Sequence, residues 1–176
     1  MRLGMVLPVA APGGKPLGPG DLAEGARRLE SAGFDSVWAF DAIGRGFALP
    51  DALIAVSVAS AVTTSVEVGT GVLQVPLRNP VELANRVLTA HLVSGGRLVL
   101  GVGAGSTKAD FDAVGADFDG RRALQEGLTT MRRLWAGESV GSARLTPRPS
   151  GAATASTGPR CSTCSTPSSA EASSRC

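Results

Sequence analysis

Tyrosine is absent from this chain of 176 residues, which has only one histidine, two tryptophans and three cysteines. The cysteines, Cys161, Cys164 and Cys176, lie near the end of the sequence, and the Cys-x-x-Cys pair has neither a second pair nor a histidine near it. A structural zinc site needs four such ligands, so we predict no metal site. The cysteine-free remainder is typical of a reducing compartment, and we expect the protein in the cytoplasm.

Strong charge and long apolar runs are also lacking. The chain has 17 Lys and Arg against 15 Asp and Glu, which gives a net charge of +2. It therefore has no basic excess of the kind that nucleic acid or an anionic membrane requires. No apolar run approaches the roughly 20 residues of a transmembrane helix, and the short run at residues 3–7 ends at Pro8. We expect neither nucleic acid nor a membrane as a partner.

What the sequence does have is an alternation of apolar runs and amphipathic segments, repeated about every 30 residues. The apolar runs predict buried strands, which cover residues 3–7, 37–40, 66–73 and 98–102. A helical pattern starts near residues 21, 50, 80 and 121, and residues 103–120 are predicted as a long polar loop. Repeats of this kind indicate parallel strands joined by right-handed crossovers.

Capping residues mark the ends of the predicted helices. Asn79 can cap the third helix, and Pro80 suits its first position, where no backbone donor is needed. Gly33 and Gly137 follow the first and the fourth helix, where a glycine can adopt the left-handed conformation that ends a helix.

Two architectures are built from such units, the doubly wound sheet and the eight-stranded (β/α)₈ TIM barrel. A full barrel takes about 250 residues, so four units supply its N-terminal half. The order of neighbours in the sheet distinguishes the two. Sequential order indicates the barrel, whereas a reversal beside the first strand indicates the doubly wound sheet.

The composition changes after residue 140. From residue 141 onward the only large apolar residue is Leu145, and Ser, Thr, Ala, Pro and Arg dominate. Such a segment buries too little surface to offset its chain entropy, so we predict a half-barrel domain over residues 1–140 and a disordered tail over residues 141–176. The abrupt change favours a frameshift that replaced four further units, and an ordinary flexible tail is the alternative.

Four segments resemble the luciferase-like flavin monooxygenase and coenzyme F420-dependent oxidoreductase superfamily. They lie in the order and at the spacing of that family, and they read GFDSVWAFD (33–41), VGTGVL (68–73), LRNP (77–80) and SGGRLVLGVGAG (94–105). The resemblance covers about residues 1–137. It implies a (β/α)₈ barrel that binds FMN or reduced F420 at the carboxyl ends of its strands, where barrel active sites are built.

In that family the third strand carries a bulge, often with a non-proline cis peptide, that backs the flavin ring. The resemblance therefore implies that Thr70, Gly71 and Val72 lie against the ring. Glycine suits this position because a flat ring needs a wall without side chains. Without the resemblance, Gly69 and Gly71 would indicate only a bend in a barrel strand.

The turn after the fourth strand is the second candidate for cofactor contact. The fingerprint of a dinucleotide fold is incomplete here, because Ser106 stands where its third glycine would be. We interpret Gly103, Ala104, Gly105 and Ser106 as a turn beside the cofactor.

Asp41 is the one carboxylate at a predicted strand exit, and it either hydrogen-bonds the cofactor or substrate or caps the next turn. Ala42 follows it where many F420-dependent relatives have histidine. His91, the only histidine, is expected to serve packing. No residue is assigned a catalytic role.

The resemblance implies an oxidoreductase that uses FMN or F420 for hydride transfer to, or monooxygenation of, a small organic substrate. With half a barrel we expect impaired activity and exposed strand edges that favour a homodimer. Two alternatives stay open, a doubly wound nucleotide-binding domain that uses residues 101–106, and a non-catalytic product of a degraded gene.

Overall fold

The computed structural model describes residues 1–43, 46 and 48–145, together with the backbone of residues 160–163. Four parallel strands lie side by side in chain order, namely β1 (Gly4–Val6), β2 (Ser36–Ala39), β3 (Glu67–Gln74) and β4 (Leu98–Gly103). This sequential order confirms the barrel prediction and excludes a reversal beside β1. The chain therefore forms the amino-terminal half of a (β/α)₈ barrel.

Helices connect the strands and cover one face of the sheet. They are α1 (Asp21–Ser31), α2 (Ala52–Val62), α3 (Pro80–Val93), α4 (Lys108–Val114) and α5 (Gly120–Trp135). Helix α2 packs between α1 and α3, and α3 packs against α5. Two short 3₁₀ helices, Pro12–Gly14 and Val75–Leu77, follow β1 and β3.

The helix ends follow the predicted caps. The Asn79 side chain accepts the backbone N–H groups of Val81 and Glu82 at 2.9 and 3.2 Å, and Pro80 is the first residue of α3. Past α1 and α5, Gly33 and Gly137 have φ angles of +83° and +80°, which only glycine adopts without strain. Local hydrogen bonding therefore fixes these boundaries.

The hydrophobic core lies between the sheet and the helices. The side chains of β2, β3 and β4 that face the helices are almost fully buried, and they include Val37, Val68, Leu98, Leu100 and Val102. On the helix side, buried residues of α3 and α5 meet them, among them Leu83, Val87, Met131 and Leu134. Burial of these aliphatic side chains supplies most of the stability.

The opposite, concave face of the sheet carries one large aromatic side chain. The indole of Trp38 on β2 extends over a glycine of each neighbouring strand. A Cβ at Gly4 would lie 2.6 Å from Trp38 Nε1, and a Cβ at Gly69 would lie 2.5 Å from Trp38 Cζ3. The indole N–H donates to Ser36 Oγ at 2.9 Å, which fixes the ring orientation. The glycines are needed here because the indole occupies the space of their side chains.

The prediction of a buried first strand is wrong. Strand β1 is shorter than residues 3–7, and Leu3, Met5 and Val6 are all exposed, although Leu7 is buried. The reason is that β1 is the edge of the sheet, with β2 as its one neighbour. Apolar composition alone does not distinguish an edge strand from a central one.

The prediction of a continuous loop over residues 103–120 is also wrong, because α4 lies within it. Phe111 in α4 is fully buried, and its ring meets that of Phe118 edge-on with centroids 5.0 Å apart. Gly115 then ends the helix with a φ of +67°. Burial of Phe111 stabilises a helix that is too short to form by propensity.

Within the described residues, three short strands follow α5. Strands β5 (Ser139–Val140) and β6 (Ala143–Arg144) form an antiparallel pair, and β7 (Arg160–Thr163) pairs in parallel with β4. The predicted disordered tail and its frameshift concern residues 141–176, most of which lie outside the described residues. Both stay predictions.

A carboxylate of α1 holds the start of β3. Glu30 accepts backbone N–H groups from Thr64, Ser65 and Val66 at 2.9, 2.8 and 3.3 Å. Burial raises the pKa of Glu30, but the hydrogen bonds from these residues outweigh it, and the pKa falls from 4.5 to about 2. The folded protein therefore favours the ionised form of Glu30, and the hydrogen bonds to this carboxylate stabilise the fold.

We expect Glu30→Gln to lower the free energy of unfolding at neutral pH. A lowered folded-state pKa contributes stability above pH 4.5, and that contribution is lost as the pH falls towards 2. The gap between wild type and variant should therefore close over this range, measured by urea denaturation at a series of pH values. Glu24→Gln, on the same helix, is the control, because Glu24 pairs with Arg28 on the helix surface. A gap that stays constant between pH 7 and pH 3 would contradict the assignment.

Candidate functional site

The predicted site residues gather at the carboxyl ends of three neighbouring strands. Asp41 follows β2, Gly71 and Val72 lie in the last half of β3, and Gly103 is the final residue of β4. Gln74 pairs with Gly103 in the sheet register, so the ends of β3 and β4 are level. This edge is where barrel enzymes bind their ligands.

Strand β3 bulges at the predicted position. Its register against β4 shifts between Thr70 and Leu73, and the peptide bond between Gly71 and Val72 is cis, as the family resemblance led us to expect. The Thr70 hydroxyl is fully buried and donates to the carbonyl of Gly101 at 2.8 Å, so it is directed towards β4 and away from solvent. Gly71, by contrast, is exposed and presents bare backbone at the edge.

Glycines of β4 accommodate the bulge. A Cβ at Gly101 would collide with the backbone oxygen of Thr70, and a Cβ at Gly103 would lie 2.5 Å from Val72 Cγ2. The two strands therefore approach each other more closely than side chains would permit. The bulge and the glycines of β4 form one structural unit.

Asp41 is held by an arginine that the sequence reasoning did not single out. The Arg78 guanidinium donates to both carboxylate oxygens of Asp41, at 2.6 and 2.8 Å, and the side chains are 11% and 3% exposed. Burial lowers the pKa of Arg78, but its hydrogen bonds and charge interaction with Asp41 outweigh this and raise it. Asp51 lies 3.6 Å from Arg78 and 3.2 Å from Arg86, which extends the ion pair towards α3.

The Asp41 carboxylate therefore has protein donors on both oxygens. Its Oδ2 also accepts the backbone N–H of Gln74 at 2.9 Å, so it ties the exit of β2 to the exit of β3. The two predicted roles were direct contact with a ligand and capping of the next turn. The bonds shown here instead join Asp41 to Gln74 and Arg78, and ligand contact stays a prediction. The signal in the sequence was the LRNP segment, where Arg78 directly precedes the cap of α3.

Gln74 and Asp110 form a second buried contact that the sequence reasoning missed. The Gln74 amide donates to the Asp41 carbonyl at 2.8 Å and to the Asp110 carboxylate at 3.0 Å. Asp110 also accepts the backbone N–H of Ile43 at 3.3 Å. Asp110 lies in α4, the helix that the sequence did not predict, so no local pattern indicated this contact.

The turn after β4 is open to solvent. Gly103, Ala104 and Gly105 are half-buried and Ser106 is exposed. Gly105 has a φ of +77°, and a Cβ on it would lie 2.6 Å from Gln74 Oε1 and 2.8 Å from Phe111 Cε2. Lys108 pairs with Asp112 in the next turn of α4 at 2.5 Å.

The single histidine lies away from this edge. His91 is on α3 close to Gly96, and burial lowers its pKa, which favours the neutral form. Among the described residues no group of histidine, cysteine and carboxylate side chains could hold a metal ion. In the same part of the chain no helix has the length and apolar character to cross a membrane.

The fold agrees with the family that the chain matches. The model of the luciferase-like monooxygenase family matches residues 1–164, and the chain belongs to that family. It is 36% identical over 132 residues to an F420-dependent glucose-6-phosphate dehydrogenase of Amycolatopsis mediterranei (strain U-32), a match that spans 70% of this chain and 40% of the relative. It is 33% identical over 117 residues to 4-hydroxyprotoasukamycin monooxygenase of Streptomyces nodosus subsp. asukaensis, a match that spans 64% of this chain and 31% of the relative.

Solved structures show the same fold. Monooxygenase RslO1 from Streptomyces bottropensis superposes with a TM-score of 0.68 and 28% identity, over 80% of this chain and 44% of that one. The oxygenating constituent of 3,6-diketocamphane monooxygenase from Pseudomonas putida, in complex with FMN, superposes with a TM-score of 0.68 and 20% identity. This match covers 78% of this chain and 40% of that one. The chain thus spans less than half the length of these relatives.

Proposed function

We propose that this chain forms the amino-terminal half of an oxidoreductase site that takes F420 or FMN at the carboxyl ends of β2, β3 and β4. The observation that carries the proposal is the exposed backbone of Gly71 at the β3 bulge, beside Gly101 and close to the end of β4. When bound, the cofactor would supply hydride transfer or oxygen activation towards a small organic substrate. We place this activity in the cytoplasm and expect a homodimer.

The residues at this edge fit a planar ring. Gly71 offers backbone without a side chain, and the half-exposed Val72 beside it offers a small apolar surface. Gly103 of the neighbouring strand has no side chain, and Val72 packs in the space that a Cβ there would occupy. Thr70 supports this wall from inside the sheet through its bond to Gly101.

The residues of the β4 turn suit the polar part of the ligand. Gly103, Ala104 and Gly105 are half-buried and Ser106 is exposed, so backbone and a hydroxyl group of this turn are accessible to solvent beyond Val72. Among the relatives, the F420-dependent glucose-6-phosphate dehydrogenases favour F420, and the FMN complex of the camphane enzyme represents the other choice.

The test is a fluorescence titration of the purified chain with F420 and with FMN. We expect saturable binding of one of them. Gly71→Ala should weaken this binding by about tenfold, because the added methyl group would hold the ring away from the backbone of residue 71. The fold should tolerate this change, since the added Cβ lies 3.6 Å from Trp38 Cε3, an ordinary contact.

Gly18→Ala is the matched control, because its added Cβ also lies 3.6 Å from the nearest atom, Asp21 Oδ2, in the loop before α1. If neither cofactor binds, the chain is the non-catalytic product that the sequence left open. Equal affinities for the Gly71 and Gly18 variants would remove Gly71 from the site.

A further inference from the structure

We propose that Gln74 is a positioning residue that fixes the three strand exits of this edge relative to one another. The inference rests on the proposed function, because it concerns the placement of the loops that would bind the cofactor. Gln74 lies two residues beyond the β3 bulge and is almost fully buried.

Its contacts reach every exit that the proposed site uses. At the exit of β2, its backbone N–H donates to the Asp41 carboxylate at 2.9 Å, and its side-chain amide donates to the Asp41 carbonyl at 2.8 Å. Beyond β4, the same amide donates to Asp110 at 3.0 Å, and its oxygen lies directly beside Gly105. Its own carbonyl accepts from Arg78 at 3.2 Å.

Asp110 carries the connection one step further. Its other carboxylate oxygen accepts the N–H of Ile43, so the segment after Asp41 is joined to α4 through Gln74 and Asp110. Both the length of the glutamine side chain and its amide group matter at this position. The two amide hydrogens serve two acceptors on different segments, while the amide oxygen packs in the space that Gly105 leaves.

No ordinary substitution reproduces this pattern. Methionine has a similar length but donates no hydrogen bond, so the Asp41 carbonyl and the buried Asp110 carboxylate each lose a donor. Glutamate keeps the shape but loses the side-chain N–H groups and places a second carboxylate against Asp110, next to Asp41. Both changes should loosen the exits of β2 and β4 without touching the exposed wall at Gly71.

The experiment compares Gln74→Met, Gln74→Glu and the double variant Gln74→Glu/Asp110→Asn with wild type. The double variant keeps the total charge, and the introduced side-chain amide can donate to the introduced carboxylate, which restores the link in reverse. Two quantities are measured for each, the dissociation constant for F420 and FMN, and amide hydrogen exchange in peptides that contain Ile43, Gly105 and, as a reference, the middle of α3.

We expect both single variants to weaken cofactor binding by about tenfold or more, since small misplacements of a site are costly. Exchange should rise near Ile43 and near Gly105 together, with α3 unchanged, and the double variant should recover part of both effects. A rise of equal size in α3, a change at only one of the two exits, or a double variant no better than Gln74→Glu would overturn the inference.

The two proposals can fail separately. If the wild-type chain binds neither cofactor, the proposed function fails, and the exchange measurements still decide whether Gln74 couples the exits. If Gln74→Met binds the cofactor as tightly as wild type does, the positioning role fails and the proposed function stands.

Discussion

Replacing Arg78 with methionine is expected to lower the free energy of unfolding by about 3 kcal/mol or more. The change removes both side-chain hydrogen bonds to Asp41 and leaves its carboxylate buried with the backbone N–H of Gln74 as its remaining donor shown here. A buried charge without its partner costs far more than the pair contributes. Urea denaturation of wild type and variant measures the effect.

Two further variants test whether that loss comes from the unpaired charge of Asp41. Arg28→Met removes an arginine from an exposed ion pair with Glu24, whose side chains are 77% and 54% exposed, and it should change stability by less than about 0.5 kcal/mol. Asp41→Asn in the Arg78→Met background should recover part of the loss, because the uncompensated charge is gone. If Arg78→Met and Arg28→Met cost the same, the Asp41–Arg78 pair does not stabilise this edge.

Gly101→Ala is expected to have the second large effect, a loss of about 2 kcal/mol or more. The new Cβ would collide with the backbone oxygen of Thr70, and backbone cannot move aside as the end of a flexible side chain can. The adjustment must separate β3 from β4 where Thr70 donates to Gly101, so the β3 bulge should shift as well.

Thermal or urea unfolding of Gly101→Ala, with Gly18→Ala as the reference, measures this cost. The reference adds the same methyl group at a position with ordinary contacts. A Gly101 variant as stable as the reference would mean that the two strands separate at no cost, contrary to the close approach described here.

Local chemistry explains which parts of the fold could be predicted from the sequence. The start of α3 depends on Asn79 and Pro80, and the ends of α1 and α5 depend on glycines directly after them, so a short window contains the whole signal. The repeat of strands and helices predicts a parallel sheet but fits two architectures, and the sequential strand order of the structure selects the barrel. Helix α4 was missed because its stability comes from burying Phe111, a tertiary effect that no local window contains.

The candidate site was predictable in place but not in its internal contacts. Barrel architecture puts the ligand at the carboxyl ends of the strands, and the structure has Asp41, Gly71 and Gly103 near those ends, while their contact with a cofactor stays a prediction. The partner of Asp41 is 37 residues away along the chain, and Gln74 and Asp110 are separated by 36. Such pairings depend on strand register and on α4, neither of which the sequence specifies alone.

The position of Trp38 has an optical consequence. Its indole extends over Gly4 of β1 and Gly69 of β3, whereas the indole of Trp135, the only other tryptophan, donates to Ala84 and joins α5 to α3. The two fluorophores thus lie in different parts of the molecule, one on the concave face of the sheet and one between helices. Emission from a Trp135→Phe variant therefore reports on the packing of β1, β2 and β3 around Trp38, and emission from Trp38→Phe reports on the helical layer.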